Sequence, residues 1–301
     1  MLCTNEALAA RGRPLQFATI ECVFTDAELI DLLHLGRPRV IGAWRLGDVI
    51  IDPGPSSCLA RLLPALEFRQ PRVLALTHIH LDHAGATGSV VRRFPETEVW
   101  VHERGAPHLI DPSRLLDSAA RLYGTEMERL WGEVLPVPAE RLRVLRGGET
   151  LGPFHVAYTP GHASHHVSYL HEPSGRAFTG DVTGVRIGAG PVLPPTPPPD
   201  IDLTAWRASL DRVAAWRPRS LALTHFDAHG DVEEHLAAMH DHLDLVESLA
   251  DDLDEAGFID AVGARVADSA DAEVAAAYEQ AMPPGLSFRG LARYLSRAQP
   301  G

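Results

Sequence analysis

Lysine is missing from this chain altogether: all 27 basic residues are arginine. That excludes a lysine nucleophile or Schiff base from its chemistry. Cysteine is scarce. Cys3, Cys22 and Cys58 are odd in number and scattered, which argues against a disulfide framework and fits a reducing cytoplasm. Cys22 is expected to be buried. No stretch approaches the roughly 20 apolar residues of a membrane span. Met1 to Arg13 holds Asn5 and Glu6 but no apolar run of the kind a secretory signal carries. The expectation is a cytoplasmic protein without a membrane partner. Positive charge is locally absent too. The net charge is −13, and between Ser220 and Ala264 there is no arginine while Asp231, Glu233, Glu234, Asp241, Asp244 and Glu247 follow one another. Such a surface repels polyanions, so no nucleic-acid partner is expected.

What the chain does have is Thr77-His78-Ile79-His80-Leu81-Asp82-His83-Ala84-Gly85, directly after the apolar run Val73-Leu74-Ala75-Leu76. The run is short and bounded, as a buried strand is. Residues two apart on an extended segment point the same way, so His78 and His80 can converge on one ion with Asp82 next in line. His83 breaks the alternation, and a turn at Asp82-His83 would aim both at a second centre. Imidazole with carboxylate suits zinc, iron or manganese. The bland alternative is a solvated histidine-rich loop, which the clustering after a strand disfavours.

Four ligands do not fill two metal shells, and three further candidates follow strand-like runs. They are His162 in Thr159-Pro160-Gly161-His162, Asp181 in Phe178-Thr179-Gly180-Asp181, and His225 after Leu221-Ala222-Leu223-Thr224. Gly180 would let the backbone turn sharply before its carboxylate.

The order HxHxDH, PGH, TGD and a late TH resembles the metallo-β-lactamase-fold hydrolase superfamily, closest in motif set to its glyoxalase II-like and lactonase-like dinuclear members. Asp52-Pro53-Gly54 after Val49-Ile50-Ile51 matches a further motif, and the resemblance covers roughly residues 17–230. It implies an α/β fold: a four-layer αββα sandwich of two mixed β-sheets flanked by helices, to which the apolar spacing after His225 adds a helical C-terminal extension. It implies one metal on His78, His80 and His162, and a second on Asp82, His83 and His225, with Asp181 bridging both. The implied cofactors are two divalent ions, zinc first, with iron or manganese as alternatives. The implied function is hydrolysis of a small-molecule thioester, ester or lactone by a hydroxide shared between the metals. Asp82 is the catalytic residue that orients it and passes a proton to the leaving group. The alternatives are a small-phosphodiester hydrolase and a mononuclear iron, sulfur-dioxygenase-like oxidoreductase.

At 301 residues the chain accommodates one large domain or one domain with an appendage. Residues 1–230 are expected to form the sandwich, with strands at 16–23 and 38–51, a hairpin turn at Gly47-Asp48, and a helical insertion at about 106–132. Residues 231–301 read as helices that either cap the sandwich or form a homodimer contact. Six prolines between Gly188 and Pro199 exclude a regular helix and make a stiff loop, either a pocket wall or a surface connector. Tyr123 and the prolines near 194–199 are candidates to line a small-molecule pocket. His166 is expected to support the metal ligands by hydrogen bonding, and His165 to be exposed. His102 could face the site or be structural. His229, His235, His240 and His242 read as surface residues, and His34, His108, His155 and His171 carry no signal.

Overall fold

A computed structural model describes residues 27–67 and 69–298. The expected strand at 16–23, Cys3 and Cys22 lie outside them. Strands β1 Glu28–Asp31, β2 Gly42–Leu46, β3 Val49–Ile51, β4 Val73–Ala75, β5 Glu98–His102 and β6 Leu142–Leu145 make one six-stranded sheet in chain order. Strands β7 Thr150–Leu151, β8 Phe154–Tyr158, β9 Val167–His171, β10 Arg176–Phe178, β11 Ser220–Ala222 and β12 Ala228–His229 make a second. Both are mixed. The first is antiparallel from β1 to β3 and parallel from β3 to β6; the second is antiparallel except where β10 lies parallel to β11.

The apolar runs are continuous because the central strands are buried on both faces. On β3, Val49 and Ile51 point between the sheets with Trp44, Trp100, Tyr169 and Phe178, while Ile50 points outward to the helices. On β4, Val73 and Ala75 face the other sheet and Leu74 faces the helices. Helices α1 Leu59–Ala65, α2 Leu81–Ala84 and α3 Thr87–Arg93 belong to the first sheet's half of the chain. Helix α7 Leu203–Ala215 covers the second sheet with Leu203, Trp206, Leu210 and Val213, and starts where Asp202 accepts a hydrogen bond from the Ala205 amide. The result is the expected αββα sandwich. The insertion is α4 Ala106–Ile110, α5 Ser113–Tyr123 and α6 Met127–Trp131.

After the last strand come α8 Val232–Asp252, α9 Glu255–Ala267, α10 Ala272–Ala281 and α11 Pro284–Ala298. Leu243, Val246, Phe258 and Leu291 share one apolar cluster with Leu210 and Val213, so this extension lies on the sandwich. Asp254 and Asp271 cap α9 and α10. His235 and His242 are buried on the inner face of α8, contrary to the surface expectation. They fall in the same three-and-four stripe as Leu236, Met239, Leu243 and Val246. Among the described residues no helix is long and apolar enough to cross a membrane.

Candidate metal centre

The chain leaves β4 through Thr77 and His78 and turns into α2 at Leu81, so the HxHxDH run sits at the carboxyl end of a central parallel strand. Thr159 to His162 follow β8, Thr179 to Asp181 follow β10, and Thr224-His225 follow β11. All four strand ends meet at one rim of the sandwich. Gly180, at φ +49°, makes the turn before Asp181 and leaves no room for a side chain against Thr77 and His166. Gly161, at φ +137°, lies directly on the backbone of Trp206.

The seven candidate ligands converge. His78, His80 and His162 form one cluster: His80 Nδ1 lies 3.1 Å from His78 Nε2 and 2.9 Å from His162 Nε2. Asp82, His83 and His225 form another, with His225 Nε2 at 3.4 Å and His83 Nε2 at 3.7 Å from Asp82 Oδ2. Asp181 lies between them. Its Oδ2 is 3.3 Å from His162 Nε2, and its Oδ1 is 3.2 Å from His83 Nε2 and 3.6 Å from His225 Nε2.

Outer hydrogen bonds fix which ring nitrogens face the centre. The second nitrogens of His162 and His225 donate to backbone carbonyls, His162 Nδ1 to Pro195 O at 2.8 Å and His225 Nδ1 to Val40 O at 2.6 Å. His83 Nδ1 donates to Asp52 Oδ2 at 2.8 Å. Asp52 is fully buried and also accepts from the Thr77 amide, the Thr77 hydroxyl and the Thr224 hydroxyl. One carboxylate thus ties β3, the HxHxDH turn and the His225 loop together. Such partners orient ligands and raise their basicity.

The Nε2 atoms of His83 and His225 and Oδ1 of Asp181 are buried without a hydrogen-bond partner. Burying such atoms unpaired costs about 1–3 kcal/mol each, and a cation shared among them removes that cost. The donor set of imidazole and carboxylate fits divalent metals. Electrostatics agree. Burial, followed by its histidine neighbours, holds His78 well below the ordinary imidazole range, and burial with His162 beside it brings His80 down to about 4. Both are therefore neutral, as ligands must be. Burial would lower His83 and His225, but Asp181 and Asp82 more than offset it and raise both. Burial would raise Asp82 and Asp181, yet the surrounding histidines keep both below the usual carboxylate range. A metal at His83 and His225 would compete with protons for their ring nitrogens, so its affinity would fall in acid.

A cavity of about 440 Å³ opens over His80, Asp82 and His225. Tyr123, Trp131, Pro195 and Pro197 to Pro199 line it, together with Met282 and Ser287 of the C-terminal extension. Both pocket-wall candidates therefore border the site. His165 is half-buried rather than exposed and borders the cavity. His166 makes no hydrogen bond to a ligand; it stacks on His78 at 5.0 Å while its Nδ1 pairs with the Thr159 hydroxyl. His102 stacks on Tyr158 and does not border the cavity.

Three contributors had no place in the motif reading. Trp206 packs edge-on against His162 and donates to Val182 O at 2.7 Å, holding the PGH and TGD loops to α7. His34 borders the cavity, stacks on Trp131 and pairs with Leu130 O and Gln280. The Val40 and Pro195 carbonyls carry no side-chain signal at all.

The metallo-beta-lactamase superfamily model matches residues 47–225, more than half of the chain and all seven clustered residues. The chain belongs to the metallo-beta-lactamase superfamily. That places it among metal-dependent hydrolases. It is 30% identical over 206 residues to a metallo-beta-lactamase fold-containing protein of Sulfurisphaera tokodaii, covering 64% of this chain and 74% of that one. It is 28% identical over 145 residues to hydroxyacylglutathione hydrolase of Buchnera aphidicola, covering 48% of this chain and 45% of the relative, so it spans less than half of that enzyme. The crystal structure of an archaeal metallo-beta-lactamase superfamily protein from Sulfolobus tokodaii superposes with a TM-score of 0.67 at 22% identity, over 88% of this chain and 97% of the other. That likeness speaks for the superfamily's fold.

Proposed function

We propose that the chain hydrolyses a small-molecule thioester, ester or lactone at a centre of two divalent metal ions, zinc first and iron or manganese next. The placement of Asp181 between the two histidine clusters, one oxygen toward each, carries this reading. Both clusters have a complete set of donors, which weighs against one-metal oxidative chemistry. Ions held there supply Lewis acidity to polarise a substrate carbonyl and to lower the pKa of water.

The chain's own groups do the rest. Asp82 is the only carboxylate of the centre with appreciable exposure, 21% of its side chain against 4% for Asp181, and it borders the cavity. It is placed to orient the attacking water and to pass its proton to the leaving sulfur or oxygen. The carbonyls of Val40 and Pro195 hold the rings of His225 and His162 in register, so the site is organised before substrate enters. Leu115, Leu122, Tyr123 and Trp131 make one apolar wall that keeps bulk water from the reacting bond. A volume of about 440 Å³ suits a small organic molecule. Hydroxyacylglutathione hydrolases among the relatives favour the thioester within this class.

The test is a screen of zinc-, manganese- and iron-loaded protein against thioesters, lactones, aryl esters and bis-aryl phosphodiesters. Turnover is expected on the acyl substrates and should vanish in His80→Ala together with bound metal. Turnover of phosphodiesters alone, or full activity in His80→Ala, refutes the assignment.

A further inference from the structure

The cavity has a second chemistry at its mouth. Helix α5 presents two stripes to it. Leu115, Ala119 and Leu122 face the chamber above the metal centre, and Arg114, Ser118 and Arg121 follow at i, i+4 and i+7 beside them. Arg114 and Ser118 line the main cavity. Ser118 and Arg121 line a smaller adjoining one, which shares Leu122, Pro198 and Pro199 with it and adds Arg293 of α11. Arg104, after β5, lines the main cavity too.

Many arginines elsewhere on this acidic chain hold a carboxylate, among them Arg39, Arg72, Arg141, Arg146, Arg186 and Arg207, whereas Arg93, Arg217 and Arg219 hold none among the described residues but lie away from this opening. Arg104, Arg114, Arg121 and Arg293 hold none among the described residues, and all are exposed. Asp200 is the acidic group at this mouth outside the metal centre, and the Ser164 hydroxyl already bonds to it at 2.6 Å. A protein of net charge −13 repels polyanions at long range, so four arginines without a carboxylate partner around one opening, Arg104 among them with its guanidinium over the Tyr158 ring, form a local reversal of sign.

We propose that the substrate is an acyl thioester whose apolar acyl group enters the Leu115–Trp131 chamber and whose thiol carrier bears phosphates that dock on Arg104, Arg114, Arg121 and Arg293. This deepens the hydrolytic reading and rests on it for the position of the scissile bond. Length decides for phosphates over a single carboxylate. Arg114 and Arg121 are seven residues apart on one helix, about 10 Å along its axis. One carboxylate cannot reach both, whereas a phosphorylated carrier places charges along such a span. Guanidinium is the group best matched to phosphate oxygens. In hydrolysis, water attacks the thioester carbonyl, the carbon–sulfur bond breaks, and the thiol leaves with the proton relayed by Asp82, giving a free acid and the phosphorylated thiol.

The experiment uses thioethers that cannot be cleaved, so binding is read independently of activity. Isothermal titration of the full chain compares S-octyl-coenzyme A, S-octyl-glutathione and the S-octyl thioether of uncharged N-acetylcysteamine, each at low and moderate salt. The coenzyme A thioether is expected to bind tightest and to weaken most as salt rises. Arg114→Gln with Arg121→Gln should weaken it about tenfold, from two screened rim charges, while Arg217→Gln, away from the cavity, leaves it unchanged. Equal affinity for all three thioethers, tightest binding of the glutathione compound, or no loss in the double variant overturns the proposal. Hydrolysis of S-octanoyl-N-acetylcysteamine tests the acyl-hydrolase reading separately: turnover there without carrier preference sinks only the phosphate inference.

Discussion

Replacing Asp52 by Asn probes the centre without touching a ligand. Asp52 Oδ1 accepts from the Thr77 amide at 2.8 Å, and Oδ2 accepts from the Thr77 hydroxyl at 2.7 Å, His83 Nδ1 at 2.8 Å and the Thr224 hydroxyl at 3.1 Å. An amide offers one oxygen. In its better orientation that oxygen keeps the three Oδ2 partners, and the amino group then meets the Thr77 N–H, donor against donor, in a site with no exposure. One unsatisfied buried donor costs about 1–3 kcal/mol, and removing the charge beside His83 adds to it, so a stability loss of about 2–4 kcal/mol is expected. Backbone strain does not confound the change, because Asp52 sits at φ +51° and Asn tolerates that region as well as Asp does. Affinity for the metal at His83 should fall about 10- to 100-fold, the usual penalty for losing such an orienting partner. Urea unfolding of the metal-free protein reads the first number, and competition with a chelator reads the second. Unchanged midpoints with unchanged affinity would refute the role given to this carboxylate.

Trp206→Phe keeps a ring against His162 but removes the donor to Val182 O. It should cost about 2–3 kcal/mol in urea unfolding, from the unpaired carbonyl and the small void; a loss under 0.5 kcal/mol would contradict its bracing role. His235 gives a pH signature. Burial, with His229 and Arg186 beside it, brings its pKa down to about 4, while Nε2 donates to Thr183 O and Nδ1 accepts from Arg186. Above pH 6.5 the ring is neutral folded or unfolded, and its packing is undisturbed. As pH falls below 6.5 the unfolded chain takes up a proton that the folded chain refuses, so stability is lost progressively down to about pH 4, by about 3 kcal/mol in all. His235→Gln should flatten that part of the stability–pH curve by a comparable amount, and an unaltered slope would rule the explanation out.

The clustering of the seven candidate side chains was legible because each ends a short apolar run, and a strand end at a sheet rim fixes where the next side chain points. The five motifs in order supplied the pairing of distant segments that periodicity cannot. The insertion and the terminal helices were readable from spacing for the same local reasons, whereas the two-sheet sandwich was legible only through the family resemblance that the motif order carries. Helix α7 carried its own signal, Asp202 followed by Leu203, Trp206, Leu210 and Val213, but a reading led by motifs passes over it. His235 and His242 read as surface because acidic neighbours surround them, although helical spacing puts them within the apolar stripe. The Val40 and Pro195 carbonyls were out of reach, since a backbone acceptor has no residue type to announce it. His34 shows the same limit: only the approach of α6 and α10 gives it neighbours, and that approach is tertiary.

The central claim is that two metals sit on either side of the Asp181 carboxylate, and anomalous diffraction from zinc-loaded crystals tests it most directly. The account predicts two peaks per chain, one within reach of His78, His80 and His162 and the other of Asp82, His83 and His225, and one fewer in Asp181→Ala. A single peak in the unaltered chain, or zinc bound away from these side chains, would contradict it.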